Sequence, residues 1–251
     1  MLLPALLCAG NVVAQTVDTS KPAVEKLPAR LLYPTNTALL PGKGPTPQWK
    51  PFPQLWAQRR AEFWQHRRQD QGAVVFLGDS ITQGWHDLAR AFPDLKVANR
   101  GIGGDTTRGV LFRLPEDVLD LRPAAVVLLI GTNDIGNGAN PDDAANNIRE
   151  ILADLRKANP QMPVIVCRVM PSKADVSARI QALNARLDQM VKQDPHLIEC
   201  DTWSIYATPE GTCNPAEFPD MLHPNHEGYE KWAGALKPIF ARLDLEKKKA
   251  E

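Results

Sequence analysis

Five short apolar runs punctuate the chain: AVVFLG (73–78), LKVANRG (95–101), AAVVLLIG (124–131), PVIVCRV (163–169) and HLIECD (196–201). Between them lie stretches with apolar residues near every third or fourth position, clearest in DDAANNIREILADLRKANP and KADVSARIQALNARLDQMVKQ. Apolar runs of this kind are strands covered on both faces, and the 3.6-residue spacing marks helices that cover them. Strands alternating with helices connect by right-handed crossovers into a parallel sheet. The expected fold is α/β, a three-layer α/β/α sandwich on a five-stranded parallel sheet. A last helix is expected from about Asn225 to Leu245, and no repeat or second domain is visible.

In such a sheet the carboxyl ends of the strands share one rim, where ligands bind. The first run ends in Gly78-Asp79-Ser80, the second in Asn99-Arg100-Gly101-Ile102-Gly103-Gly104-Asp105, the third in Gly131-Thr132-Asn133-Asp134. The loop after the fifth ends in Asp220-Met221-Leu222-His223-Pro224. Serine, glycine, asparagine and an Asp/His pair thus converge on one edge. Either Ser80 only caps the helix that follows, or it is a nucleophile.

A serine hydroxyl attacks an ester only if a base takes its proton and a carboxylate holds that base in the right tautomer. His223 is the candidate base, and Asp220, three residues earlier, can accept its proton-bearing nitrogen within one turn. The oxyanion so formed needs donors aimed at it, which the backbone N–H groups of Ser80 and Gly104 and the side-chain amide of Asn133 can supply. GIGGDT lacks the GxGxxG spacing and follows the second strand, so a dinucleotide cofactor is not expected. His223, His226 and Asp220 offer metal-ligand types, but Pro224 breaks any helix across them, and no metal is expected. A non-catalytic carbohydrate-binding protein on the same sheet would have no need for a serine, a base and an acid together.

Taken together, GDSITQGW, NRGIGGDTTRGVLFRL, VVLLIGTNDI and DMLHPNHEGYEKWA resemble the four sequence blocks of the SGNH (GDSL-type) esterases, over about Val74 to Phe240. Within that family the chain is similar to the catalytic subunits of platelet-activating-factor acetylhydrolase and their bacterial relatives. The resemblance implies a flavodoxin-like fold, Ser80 as nucleophile, Gly104 and Asn133 as oxyanion donors, and Asp220 and His223 as the remaining triad members. It also implies that Asp79 braces the serine turn and Asp105 the loop carrying Gly104. The setting of Ser80 differs from the GxSxG elbow of the α/β-hydrolases. The implied activity is cleavage of a short acyl group, acetyl above all, from a carbohydrate or, alternatively, a small lipid. Trp85, just past the serine turn, can either stack on a sugar or pack the helix.

Twenty-nine basic residues balance 29 acidic ones, which gives no electrostatic footprint for nucleic acid or an anionic membrane. The apolar residues 1–14, MLLPALLCAGNVVA, end in a small-residue pattern compatible with signal cleavage before Gln15 and hence export, although no Lys or Arg precedes Lys21. They are too few to span a membrane. Residues 15–52 form a proline-rich extension, with eight of the 22 prolines between Pro22 and Pro53, expected to lie irregularly over a domain or link it to another. Residues 53–245 are the expected hydrolase domain. Its first helix carries Leu55, Trp56, Phe63 and Trp64 against a basic face of Arg59, Arg60, Arg67 and Arg68, and its tryptophans can cover their own domain or a neighbouring copy in an oligomer. Cys167 reads as a core residue, while Cys200 and Cys213 can pair if the protein is exported.

Overall fold

The structure, a computed structural model, describes residues 27–245. The apolar run at 1–14 and its expected cleavage point lie outside these residues. Each apolar run forms a strand: β1 (Val74–Gly78), β2 (Val97–Gly101), β3 (Ala125–Leu129), β4 (Val164–Cys167) and β5 (Leu197–Cys200). They make one parallel sheet in the order β2-β1-β3-β4-β5. In this register Gly78 lies opposite both Gly101 and Leu129. Strands β2, β1 and β3 therefore end level, and the loops that follow them start side by side.

Side chains alternate across a strand, and both faces of β1 are covered. Val75 and Leu77 pack with Val110 and Leu114 of α4 (Thr107–Asp117), Ile148 of α6 (Pro141–Ala158) and Leu183 of α7 (Ala174–Gln193). Val74 and Phe76 face the other way, onto Trp85, Phe92 and the Trp232, Leu236 and Phe240 stripe of α8 (His226–Arg242). Helix α8 begins where Asn225 Oδ1 accepts the Gly228 N–H at 3.0 Å and ends three residues before the expected Leu245. The short helices α2 (Ser80–Gln83) and α5 (Thr132–Gly136) follow β1 and β3 directly at the sheet's carboxyl rim, and α3 (Leu88–Ala91) lies in the crossover to β2 with Leu88 in the core.

Helix α1 (Phe52–His66) covers its own domain, and the reason corrects the sequence reading of a basic face. Phe52, Trp56, Arg60 and Phe63 fall at helical spacing on one buried stripe, so Arg60 belongs to the packed side and is 0% exposed. Its Nε reaches both oxygens of Asp117 at 3.0 and 3.1 Å. Trp64 is only half-buried, with the Arg67 guanidinium over its ring at 3.9 Å.

The preceding residues 27–51 form an irregular strap with short 3-10 turns at Ala29–Leu31 and Thr37–Leu39. Irregular backbone leaves carbonyls to be satisfied. Arg108 of α4 satisfies four of them, donating to the carbonyls of Thr37, Leu40, Pro41 and Gly44. Asn147 of α6 holds both the N–H and the carbonyl of Lys43. Cys167, Cys200 and Cys213 are free thiols. Cys200 and Cys213, which could pair on sequence grounds, are not joined, and Cys200 lies opposite Cys167 on the neighbouring strand. No helix among the described residues is long and apolar enough to cross a membrane.

Candidate active site

The serine turn answers the question raised by its sequence. Asp79, not Ser80, caps α2, its Oδ1 accepting the Ile81 N–H at 3.0 Å. The Ser80 hydroxyl is thereby left for another partner, and its Oγ lies 2.9 Å from His223 Nε2. On the far side of the ring, His223 Nδ1 is 2.6 Å from Asp220 Oδ2.

One carboxylate builds this last turn. Asp220 Oδ1 accepts the N–H groups of Leu222 at 3.0 Å and His223 at 2.7 Å, while Oδ2 holds the ring. Met221 between them is left-handed, φ 63°, and Ser172 Oγ pins its carbonyl at 2.7 Å. Partial burial alone would raise the Asp220 carboxyl, but the hydrogen bonds from the His223 ring and the backbone outweigh it and hold the group at about 2. An ionised Asp220 keeps the proton on Nδ1 and leaves Nε2 free to accept from Ser80. The His223 and Asp220 side chains are 41% and 56% exposed, so this edge opens to solvent.

The donors stand on adjoining loops. Gly103 N–H is taken by Gln83 Oε1 at 2.6 Å, which fixes the loop after β2. Gly104 follows at φ +80°, a conformation that favours glycine, and a Cβ there would sit 3.4 Å from the Phe52 ring of α1. Among the described residues, neither the Ser80 N–H nor the Gly104 N–H donates to a protein acceptor. Asn133 Nδ2 donates to the Asp105 carbonyl at 2.9 Å and, at a weaker 3.3 Å, to Asp79 Oδ2. Both amide protons are thus engaged, and an oxyanion would have to take the place of the longer bond, the one to Asp79. All five residues singled out in the sequence thus lie on this rim.

Trp85 does not offer a sugar platform. It is 3% exposed and stacked between Tyr229 at 5.2 Å and Trp232 at 4.8 Å, because the chain leaving α2 drops straight into the aromatic core below Phe76. His226 faces Glu230 at 3.4 Å, and among the described residues no group of three His, Cys, Asp or Glu is placed to hold a metal ion.

Beneath the rim lie three buried carboxyls, of which sequence reasoning missed Asp134. Burial pushes Asp79 up to about 7 against the bond from Ile81. Burial likewise raises Asp105 to about 6 against Arg113, and Asp134 to about 6 against the Thr107 hydroxyl and N–H. A raised acid contributes stability that is full below its unfolded value near 4 and lost as pH rises through the folded value. Asp79 is therefore expected to make the protein less stable toward neutral pH, by up to about 1.4 kcal/mol per pH unit between ~4 and ~7. Urea unfolding of wild type and Asp79→Asn from pH 4.5 to 8 checks this: the stability difference between them should shift in favour of the variant as pH rises. A difference independent of pH would contradict it.

The GDSL-like lipase/acylhydrolase family model matches residues 76–231, more than half of the chain. The chain is 28% identical over 219 residues to platelet-activating factor acetylhydrolase IB subunit alpha1 of Rattus norvegicus, covering 80% of this chain and 92% of that protein. To the alpha2 subunit of Bos taurus it is 29% identical over 199 residues, 75% of this chain and 84% of that one. A GDSL-like lipase from Bacteroides thetaiotaomicron matches the structure with a TM-score of 0.64 at 29% identity, over 72% of this chain and 97% of that chain. The acetyl xylan esterase AlAXEase shares the fold, with a TM-score of 0.59 at 23% identity over 66% and 98%. The chain belongs to the GDSL-like lipase/acylhydrolase family and is a serine ester hydrolase.

Proposed function

We propose that this enzyme removes short acyl groups, acetyl above all, from carbohydrates through an acyl-enzyme on Ser80. The observation that carries the reading is the continuous hydrogen-bonded line from Ser80 Oγ through the His223 ring to Asp220, at 2.9 and 2.6 Å. Ser80 Oγ bonds to the ester carbonyl carbon as its proton passes to His223 Nε2, and Asp220 stabilises the imidazolium. The oxyanion is received by the N–H groups of Ser80 and Gly104 and by Asn133 Nδ2. On collapse the carbon–alkoxy bond breaks and the alcohol leaves with the proton from His223. Water, deprotonated by the same ring, then attacks the acyl-Ser80 ester, releases the carboxylic acid and returns the proton to Ser80.

Acetyl is supported by the names of the relatives, an acetylhydrolase and an acetyl xylan esterase. A carbohydrate is supported by the exposure of His223 and Asp220, which leaves room for a bulky alcohol on the solvent side. The acetylhydrolase relatives favour the second reading, an acetylated small lipid. Export is supported by the apolar run at residues 1–14 and would bring the enzyme to extracellular polymers.

Hydrolysis rates on acetylated xylo-oligosaccharides, an acetylated short-chain phospholipid and p-nitrophenyl esters of increasing length test the assignment. The expected result is sugar above lipid, with kcat/KM for hexanoyl at least about tenfold below acetyl. Lipid above sugar would transfer the assignment to the second reading.

A further inference from the structure

Arg113, in the interior of α4, touches none of the groups that meet the substrate, yet it reaches the loops that carry them. Its side chain is 0% exposed. Nε donates to Asp105 Oδ2 at 2.8 Å, one NH2 group to the Gly78 carbonyl at 3.0 Å, and the other to Asp117 Oδ2 at 3.4 Å. Gly78 is two residues before Ser80, and Asp105 is the residue after Gly104. The Asp105 carbonyl in turn holds Asn133 Nδ2 at 2.9 Å. One planar group therefore bonds within two residues of Ser80 and Gly104 and, through Asp105, reaches Asn133 as well.

We propose that Arg113 is a positioning residue that sets the spacing between the nucleophile turn and the oxyanion loop. The proposal rests on the assignment of Ser80, Gly104 and Asn133 made above. Filling the space is not reason enough for a guanidinium: an apolar side chain of similar volume would do so without desolvating a charge. What the guanidinium adds is direction, since its rigid fork bonds a carbonyl and a carboxylate at a fixed angle, which a flexible ammonium on a point-charge stem does not. Direction matters here because oxyanion donors act only when already aimed, and displacement by about 1 Å is enough to lose on the order of 10²-fold in rate. Two other ties join these segments, Ile102 N–H to the same Gly78 carbonyl at 3.2 Å and Gly103 N–H to Gln83 Oε1 of α2 at 2.6 Å, and neither reaches Asp105. On its other side Arg113 shares Asp117 with Arg60 of α1, which anchors the fork to a helix lying before residue 76, where the family match begins.

The test compares wild type, Arg113→Lys and Ile151→Ala, a buried α6 site whose truncation lowers Tm without approaching the rim. Steady-state kinetics on p-nitrophenyl acetate and the rate of Ser80 labelling by a fluorophosphonate are measured well below every Tm. Arg113→Lys keeps the charge opposite Asp105 and Asp117 but not the fork. It is expected to lower kcat on the order of 10²-fold with KM within about twofold, and to slow labelling in parallel. Ile151→Ala is expected to keep kcat within about twofold despite its lower Tm. If Arg113→Lys does not fold, Asp105→Asn, which weakens the same link isosterically, carries the same expectation. A folded Arg113→Lys with wild-type kcat, or an equal loss of kcat in Ile151→Ala, overturns the proposal. Absence of label on wild-type Ser80 overturns the nucleophile assignment itself, and the proposal falls with it.

Discussion

Replacing Ser80 with alanine is expected to lower kcat by on the order of 10⁴- to 10⁶-fold while leaving Tm within a degree or two. The two halves of this expectation have separate causes. The hydroxyl faces His223 Nε2 at 2.9 Å, so its removal takes away the atom to be acylated. The helix start does not depend on it, because Asp79 supplies the cap. His223→Ala should cost nearly as much, and the double variant scarcely more than either single change, since residues that act as a unit lose their effect together. Kinetics on p-nitrophenyl acetate with calorimetry on the same samples decide the matter. Residual activity close to wild type would show that another residue is acylated.

The largest loss of stability is expected from Asp117→Ala. Asp117 accepts from Arg60 at 3.0 Å and from Arg113 at 3.4 Å, and both guanidinia are fully buried. Taking away their shared carboxylate leaves two charges with reduced compensation in a medium that cannot solvate them, a change that typically costs about 3–5 kcal/mol. Against a typical stability of about 5–15 kcal/mol this is a large fraction. At roughly 2–4 °C per kcal/mol for a domain of this size, Tm should fall by about 6–20 °C. A fall of less than about 2 °C in calorimetry would show that Glu116, 3.2 Å from Arg60, is compensation enough.

The strands were readable because a covered parallel strand has a composition of its own. Val74 to Leu77 admit little else, and the level ends of β1, β2 and β3 follow from the topology. The gathering of Ser80, Gly104, Asn133, Asp220 and His223 on one rim was readable because each stands just beyond a strand or in the last loop, where polar chemistry interrupts a pattern. Arg60 and Arg113 were not, since an arginine in a helix has the same local signature whether it meets water or a buried carboxylate. Helical periodicity did hold the information for Arg60, spaced with Phe52, Trp56 and Phe63, but residue type was allowed to outweigh position. For Trp85 the sequence left sugar stacking and helix packing both open, because the burial that decides for packing depends on Trp232 and Tyr229, more than a hundred residues away.

Ser80 and the ring it bonds are 143 positions apart, and the ring arrives on the last loop before α8. A polypeptide still emerging from the ribosome thus displays the alcohol without the imidazole that would activate it until the loop carrying His223 has been made. Premature termination or proteolytic cleavage between the two yields a fragment with the serine but no hydrolytic power.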